Sequence, residues 1–364
     1  MKIVILAYAN DNHTAPLKWA LEKAGYAVKC WSGLGSKAEQ QASITFDGSA
    51  RLALGPYTLE AGDVVWIRRP NAPTPNPNVA EPDRKFAEGE YRWFSWSIMY
   101  LFESLGVRVV NPYSASRFIN NKSVQLVIAK EAGMHVPETL MSNSPEAVKD
   151  FLKHREGGRT ICKAFFPHVW QKGSGGIAVT ETFEINLDQL PADEVLTYAP
   201  AIYQEMVVKK FDVRMVLLGN TVYSYSLHNP KNALDWRQDA GQGLVEVKSI
   251  ETPSEVEAAV LAFARKAGVT FGSLDFAIDA DGRWWFLEIN EEGQFLWLDE
   301  FNPEVRMQEK FLAFLTSPGE TSREEIEARQ SQFASWKDFC ASPEKDQVPP
   351  EFSQGPVAFV SVEP

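Results

Sequence analysis

Residues 273 to 290 read Ser273-Leu274-Asp275-Phe276-Ala277-Ile278-Asp279-Ala280-Asp281-Gly282-Arg283-Trp284-Trp285-Phe286-Leu287-Glu288-Ile289-Asn290, two alternating runs on either side of Asp281-Gly282. Asp-Gly between such runs is the strongest short hairpin signal, because both central turn positions need positive φ. A two-residue turn there predicts that Leu274 faces Ile289, Phe276 faces Leu287 and Ile278 faces Trp285. All three pairs are apolar, so the register supports itself. The other face sets Asp275 against Glu288, and Asn290, two residues on, points the same way. Like charges directly opposed across a sheet cost ~0.2–1 kcal/mol. Either the carboxylates share a cation, for which two carboxylates and an amide oxygen are hard ligands suited to magnesium, or the hairpin is exposed and its charges are solvated. The hairpin alone leaves both open.

The chain around it has 364 residues, enough for two or three domains. Its first third alternates strand and helix: strands at Lys2–Tyr8, Tyr26–Trp31 and Val64–Arg68, and a helix at Leu17–Gly25. That alternation predicts a parallel sheet covered by helices. A Pro/Asn-rich loop spans Pro70 to Pro82, and Phe86–Leu105 then has helical spacing with Phe86, Trp93, Phe94, Trp96, Tyr100 and Phe102, a stripe that reads as core packing. Helices are predicted at Lys122–Ala132, from Pro145 to about His154 behind Ser144, at Glu255–Ala267 and at Glu304–Leu315. Strands are predicted at Thr160–Lys163, Ile177–Thr180, Ile202–Val207, Val213–Leu218 and Val222–Leu227. After Pro318 the composition turns polar, with one charged helical stretch, Arg323–Phe333, and reads as an appended tail.

Several polar groups join the hairpin as candidates. Lys122 and Lys163 each sit beside a predicted element, as phosphate-binding lysines do. Gln171-Lys172-Gly173-Ser174-Gly175-Gly176 is either a surface turn or a loop whose N–H groups wrap phosphates. Gln204-Glu205-Met206-Val207 sets polar groups beside backbone able to read an adenine edge. Arg214 follows on the next strand and Asp235-Trp236-Arg237 on a later loop; lone arginines are otherwise surface charges.

In this order, Lys122, Lys163, Gln204-Glu205, Arg214, Asp275 and Glu288-Ile289-Asn290, the sequence resembles the ATP-grasp superfamily, and more narrowly the microviridin or graspetide type of ligase that macrocyclises ribosomal peptides. Further pieces of the likeness are Val65–Pro70, Asn111-Pro112, Asn121–Leu126, Asp235–Arg237 and Glu288–Leu298. The resemblance runs from about Lys2 to Leu315. It implies an α/β ATP-grasp fold behind an N-terminal Rossmann-like pre-ATP-grasp domain: residues 1–118 for that domain, 119–205 for a central subdomain with the glycine-rich lid, 206–317 for the subdomain with the magnesium site, and 318–364 for the tail. It implies ATP and Mg2+ as cofactors. Lys122 and Lys163 then hold phosphates, with Gly173, Ser174, Gly175 and Gly176 as lid; Gln204, Glu205 and Val207 hold adenine, and Asp212 lies near the ribose. Asp275, Glu288 and Asn290 hold the metal, and Arg214 and Arg237 face the transferred phosphoryl group. The implied reaction activates Asp or Glu side chains of a precursor peptide with leader and core, and closes ester or amide rings on Ser, Thr or Lys, in a homodimeric enzyme. An ATP-grasp ligase that adds amino acids to a peptide or small carboxylate shares every ATP residue. The chain departs from the family where Glu291-Glu292 stands in place of Pro-Asn, and where Ala164-Phe165-Phe166 follows the second lysine.

Composition removes other classes. With 48 acidic against 36 basic side chains, a duplex nucleic-acid partner is not expected. Three widely spaced cysteines do not make a disulfide scaffold and suit a reducing cytoplasm. No apolar run is long enough for a bilayer span, so no membrane partner is expected. The first strand leads into Ala9-Asn10-Asp11-Asn12-His13, not a dinucleotide-binding glycine turn. Neither His-Glu-x-x-His nor Gly-x-Ser-x-Gly occurs.

Overall fold

The computed structural model describes residues 1–8, 11–155, 157–166, 168–171, 177–229, 244–317, 319 and 321–347. The chain opens with β1 (Lys2–Ala7) and β2 (Ala27–Trp31), continues through a small antiparallel meander, β3 (Ala42–Phe46), β4 (Ala50–Leu54) and β5 (Tyr57–Thr58), and returns as β6 (Val64–Arg69) and β7 (Arg108–Val110). The first sheet runs β2-β1-β6-β7 with every pairing parallel. Alternation along β1 sorts its side chains: Ile3 and Ile5 join Leu17, Ala20 and Leu21 of the helix Thr14–Lys23, while Val4 and Leu6 join Ile98, Met99 and Phe102. The first helix starts three residues earlier than its periodicity predicts, because Asp11 Oδ1 accepts from the N–H groups of His13 and Thr14, both at 3.0 Å.

The expected core stripe holds in part: Phe102 is fully buried and Phe94 packs beside it, but the other aromatics, on the helix Arg84–Leu101, depart from expectation. Its buried residues are Ile98 and Met99, whereas Phe86, Trp93, Trp96 and Tyr100 face outward, with Phe86 and Trp93 70% and 66% exposed. The helix carries two apolar stripes, and only one can lie on the sheet.

Next come β8 (Thr139–Ser142), β9 (Thr160–Lys163), a separate pair β10 (Val169–Gln171) and β11 (Ile177–Val179), then β12 (Phe183–Ile185) and β13 (Ala201–Glu205). The central sheet runs β12-β9-β13-β8, all antiparallel. The last sheet is β16-β15-β14-β17-β18, built from β14 (Lys209–Leu218), β15 (Thr221–His228), β16 (Glu246–Ile250), β17 (Phe271–Asp279) and β18 (Trp284–Asn290). One face, through Val213, Met215, Leu217 and Leu274, packs on the helices Lys122–Glu131 and Ser254–Ala267. The opposite face, through Val216, Leu218 and Phe271, packs on the helix Met307–Leu315 and on Ile5 and Trp66 of the first sheet. Ile326, Phe333 and Phe339, beyond the predicted end of the domain, close that same core.

The β17–β18 register agrees with the sequence at one end and slips at the other. Leu274 pairs with Ile289 and Asp275 with Glu288, but Phe276 pairs with Phe286 and Ile278 with Trp284, because a bulge follows Asp275. Leu287 is the extra residue. The bulge buries Phe286 fully and lengthens the turn beyond Asp281-Gly282: the Asp279 N–H donates to the Arg283 carbonyl at 3.2 Å. A second correction concerns Glu304–Leu315, which is broken at Arg306 (φ 54) into a 3-10 turn and the helix Met307–Leu315. Among the described residues no helix is long and apolar enough to cross a membrane.

Candidate active site

Asn121 begins the helix Lys122–Glu131, its Oδ1 accepting from the N–H groups of Ser123 at 3.1 Å and Val124 at 3.4 Å. This satisfies two orphan donors of the first turn and fixes Lys122 as the first helical residue. Lys122 Nζ donates to Glu288 Oε2 at 2.5 Å. Three residues on, and therefore on the same helix face, Gln125 grips the strand beside it: Nε2 donates to the Ile289 carbonyl and Oε1 accepts from the Ile289 N–H, both at 3.0 Å.

The sheet supplies the rest. Glu288 pairs with Asp275, and Asp275 with Arg214, so one row of side chains crosses β18, β17 and β14. Arg214 Nη1 is 3.0 Å from Asp275 Oδ1. The guanidinium is also 5.5 Å from the centroid of the Trp297 ring, and its Nε is buried without an acceptor. Lys122, Glu288, Asp275 and Arg214 thus form a line of charges in the order plus, minus, minus, plus. The opposed carboxylates foreseen in the sequence are compensated here by a cation at each end.

Asn290 continues along β18, opposite Ser273. Its Oδ1 accepts from the N–H groups of Glu292 at 3.2 Å and Gly293 at 3.1 Å, so a cation bound to that oxygen shares it with the turn. Among the described residues no three His, Cys, Asp or Glu side chains gather as a metal cluster. A divalent ion here would rest on Asp275, Glu288 and the Asn290 amide, completed by water and phosphate oxygens, a donor set that fits magnesium.

Lys163 approaches from the central sheet. Its Nζ donates to Gln204 Oε1 at 2.8 Å, and Gln204 Nε2 donates to Thr139 Oγ1 at 2.8 Å. Burial lowers the Lys163 ammonium to about 8, with Glu288 opposing the fall and Lys122 adding to it. Both lysines and Glu288 therefore share one electrostatic field. Glu205 is held differently: Oε2 accepts from the Glu138 N–H at 3.2 Å, and Arg155 Nη2 lies 3.3 Å from Oε1. Val207 lies in the half-buried link between β13 and β14. Asp212 is 9% exposed and accepts from Lys209 Nζ at 2.7 Å. Gly173, Ser174, Gly175, Gly176 and Arg237, with Asp235 and Trp236, lie outside the described residues.

Residues without an expected role hold this frame in place. Asn111 Nδ2 donates to the carbonyls of Phe271 at 2.7 Å and Glu291 at 2.9 Å, and its Oδ1 accepts from the N–H groups of Thr270 and Phe271, both at 2.9 Å. It ties the start of β17 to the end of β18. His13 Nε2 accepts from the N–H groups of Phe295 at 3.0 Å and Leu296 at 3.3 Å. Burial, with Arg68 and Arg69 adding to it, holds the His13 pKa well below the usual range, so the ring is neutral and able to accept. Arg69 Nε donates to Glu292 Oε2 at 2.7 Å and Arg68 Nη1 to the Glu292 carbonyl at 3.2 Å. The departure at Glu291-Glu292 thus has a structural use: Glu292 is taken by Arg69, and Glu291 is buried, which raises its pKa to about 7. Gln125 carried a signal in its spacing from Lys122; His13 carried none.

The fold is an ATP-grasp fold. The structure matches the RiPP-associated ATP-grasp ligase of Chryseobacterium gregarium, solved with ADP and a leader and core peptide, with TM-score 0.75 and 24% identity over 88% of this chain and 99% of that one. It matches the macrocyclase MdnC of Microcystis aeruginosa MRC, solved with precursor peptide MdnA, with TM-score 0.70 and 23% identity over 88% of this chain and 100% of that one. It also matches the ATP-grasp ligase PsnB, solved with a phosphomimetic variant of a minimal precursor, Mg and ADP, with TM-score 0.65 and 21% identity over 87% and 98%. No protein-family model and no curated protein matches the sequence.

Proposed function

We propose that this chain is an ADP-forming ligase that activates Asp or Glu side chains of a ribosomal precursor peptide and joins them to Ser or Thr hydroxyls, or Lys amines, of the same peptide. The observation that carries the reading is the row Lys122–Glu288–Asp275–Arg214, assembled from a capped helix and three strands, with Lys163 in its field. Two lysines for phosphate oxygens, two carboxylates and an amide for a divalent ion, and a buried arginine for the group in transfer make up the complement that carboxylate activation by ATP requires. The bound contents of the similar structures, nucleotide together with precursor peptide, support the peptide as substrate.

In this reading a peptide carboxylate attacks the γ-phosphorus of ATP, and the γ-phosphoryl group moves to it as ADP leaves. A hydroxyl or amine of the same peptide then attacks the acyl carbon, gives up its proton, and displaces phosphate, leaving an ester or amide ring. Magnesium, when bound, offsets repulsion between the two anions. Lys122 leaves Glu288, and Lys163 leaves Gln204, to take phosphate oxygens. Arg214, held by Asp275 on one edge and with Nε unpartnered, meets the charge that develops on the transferred group. Gln204, Glu205 and Val207 line adenine, Asp212 the ribose, and Gly173–Gly176 the lid, with Arg237 a second cation at the phosphoryl group.

The test is incubation with ATP, magnesium and a leader-bearing precursor. One water lost from the peptide per ring, with ADP as the nucleotide product, is the expected result. AMP as product, or a mass gain from an incorporated free amino acid, overturns this assignment; the gain would favour the amino-acid-adding ligase.

A further inference from the structure

The sheet face that carries Arg214 also carries a second concavity. A cavity of about 430 Å³ opens between β15, β16 and the helices Ser254–Ala267, Met307–Leu315 and Arg323–Arg329. That volume lies within the range of small-molecule sites, roughly 300–1,000 Å³. Tyr223 and Tyr225, alternate residues of β15, form its floor. Tyr225 pairs with Arg214 across the ladder and Tyr223 with Val216, so the cavity begins one strand away from the arginine.

The two tyrosines are 5% and 1% exposed, but only one hydroxyl is satisfied. Lys310 Nζ donates to Tyr225 Oη at 3.3 Å and to the Val305 carbonyl at 2.6 Å. The Tyr223 hydroxyl is buried without a hydrogen-bond partner. Two cations lie over its ring, Lys310 Nζ at 4.7 Å and the Arg323 guanidinium at 4.6 Å from the centroid. Arg323 donates to the Val222 carbonyl, and Glu327 is 3.8 Å from its Nη1. A buried, unsatisfied hydroxyl is costly. One guest removes that cost: an anion that accepts from Tyr223 between Lys310 and Arg323. Burial pushes the phenol's pKa up, with Glu327 adding to it, so Tyr223 stays protonated and donates. The rim has the opposite sign, with Glu257 half-buried and Glu327 exposed.

We propose that this cavity binds a small zwitterion of the amino-acid type, its carboxylate on Tyr223, Lys310 and Arg323 and its ammonium on Glu257 and Glu327. The ligand site would give a use to the segment after Thr321, which supplies Arg323 and Glu327. It stands independently of the ligase reading.

The full chain is titrated with glycine, acetate and methylamine by ligand-observed NMR. Glycine is expected to bind about tenfold more tightly than either single-charge probe, the equivalent of one charge-assisted hydrogen bond. Tyr223→Phe weakens glycine and acetate alike, and Arg323→Gln weakens both further. Glu257→Gln weakens glycine and leaves acetate unchanged, and this arm does not disturb the Arg323–Val222 bond. Equal binding of the three probes, no binding of glycine, or glycine binding unaltered by both Tyr223→Phe and Glu257→Gln overturns the proposal.

Discussion

Arg214 Nη1 lies 3.0 Å from Asp275 Oδ1, and the two residues face each other directly in the β14–β17 ladder. Their side chains are 6% and 15% exposed, so solvent screens the pair little. Removing one charge leaves the other buried and uncompensated. Asp275→Asn is therefore expected to lose ring closure and also about 1–3 kcal/mol of stability, read by urea unfolding. Full activity in this variant rules out the metal and phosphoryl roles together.

Glu288 predicts a different balance. Its side chain is 32% exposed and its partner Lys122 is 29% exposed, so the pair contributes little to stability, within about 1 kcal/mol. Glu288→Gln is expected to abolish water loss from the precursor with an almost unchanged denaturation midpoint. A large fall in midpoint would mark Glu288 as a structural residue instead.

Lys163 carries a pH signature. With its ammonium brought down to about 8 by burial, the lysine is charged below that pH and neutral above it when no nucleotide is bound. ATP affinity should fall as pH rises through about 8, and Lys163→Arg should flatten that fall because a guanidinium stays charged. Calorimetric titration of nucleotide between pH 7 and 9 decides it; an identical slope in the variant refutes the assignment.

Gln125 positions rather than reacts. It is 4% exposed and holds both polar atoms of the Ile289 backbone, one residue from Glu288. Gln125→Leu leaves those groups, and the Ile119 carbonyl it also serves, without their partner. A loss of about 1–3 kcal/mol is expected, together with weaker activation by magnesium. A destabilised variant with unaltered magnesium dependence would confine Gln125 to a packing role.

Asp299 sets a pH dependence of stability. It accepts from the N–H groups of Met307 at 2.6 Å and Gln308 at 2.7 Å, yet burial raises its pKa to about 7, opposed by those two bonds, with Glu309 raising it further and Lys310 lowering it. An acid whose folded pKa exceeds its unfolded value keeps its proton in the fold, so its contribution weakens as pH rises from about 4 to about 7. Asp299→Asn should reduce the fall in melting temperature between pH 5 and 8. A slope as steep as that of the unsubstituted chain removes Asp299 as its source.

The first sheet was legible because β1 and β6 are buried on both faces and read as continuous apolar runs. The opposed pair Asp275 and Glu288 was legible because strand alternation fixed their side. The bulge after Asp275 was not, since Leu287 is as apolar as Phe286 and pattern alone cannot say which one is buried. The outward aromatics of Arg84–Leu101 failed for a related reason: periodicity finds a stripe but not the surface it meets. The break at Arg306 is set by Asp299, which accepts from N–H groups eight and nine residues on, a contact that apolar periodicity does not register. Asn111 and His13 depend on partners 159 to 283 positions along the chain. No local window contains both halves of such a contact.

The bonds from His13 to Phe295 and Leu296 span 282 and 283 positions of sequence. During synthesis the opening sheet emerges long before its fastening exists. Until the ribosome has released the stretch around Leu296, the bonds that Glu292, Phe295 and Leu296 make with Arg68 and His13 cannot form. A nascent chain arrested before that point should present a protease-sensitive first sheet, and a chain carried past it a resistant one.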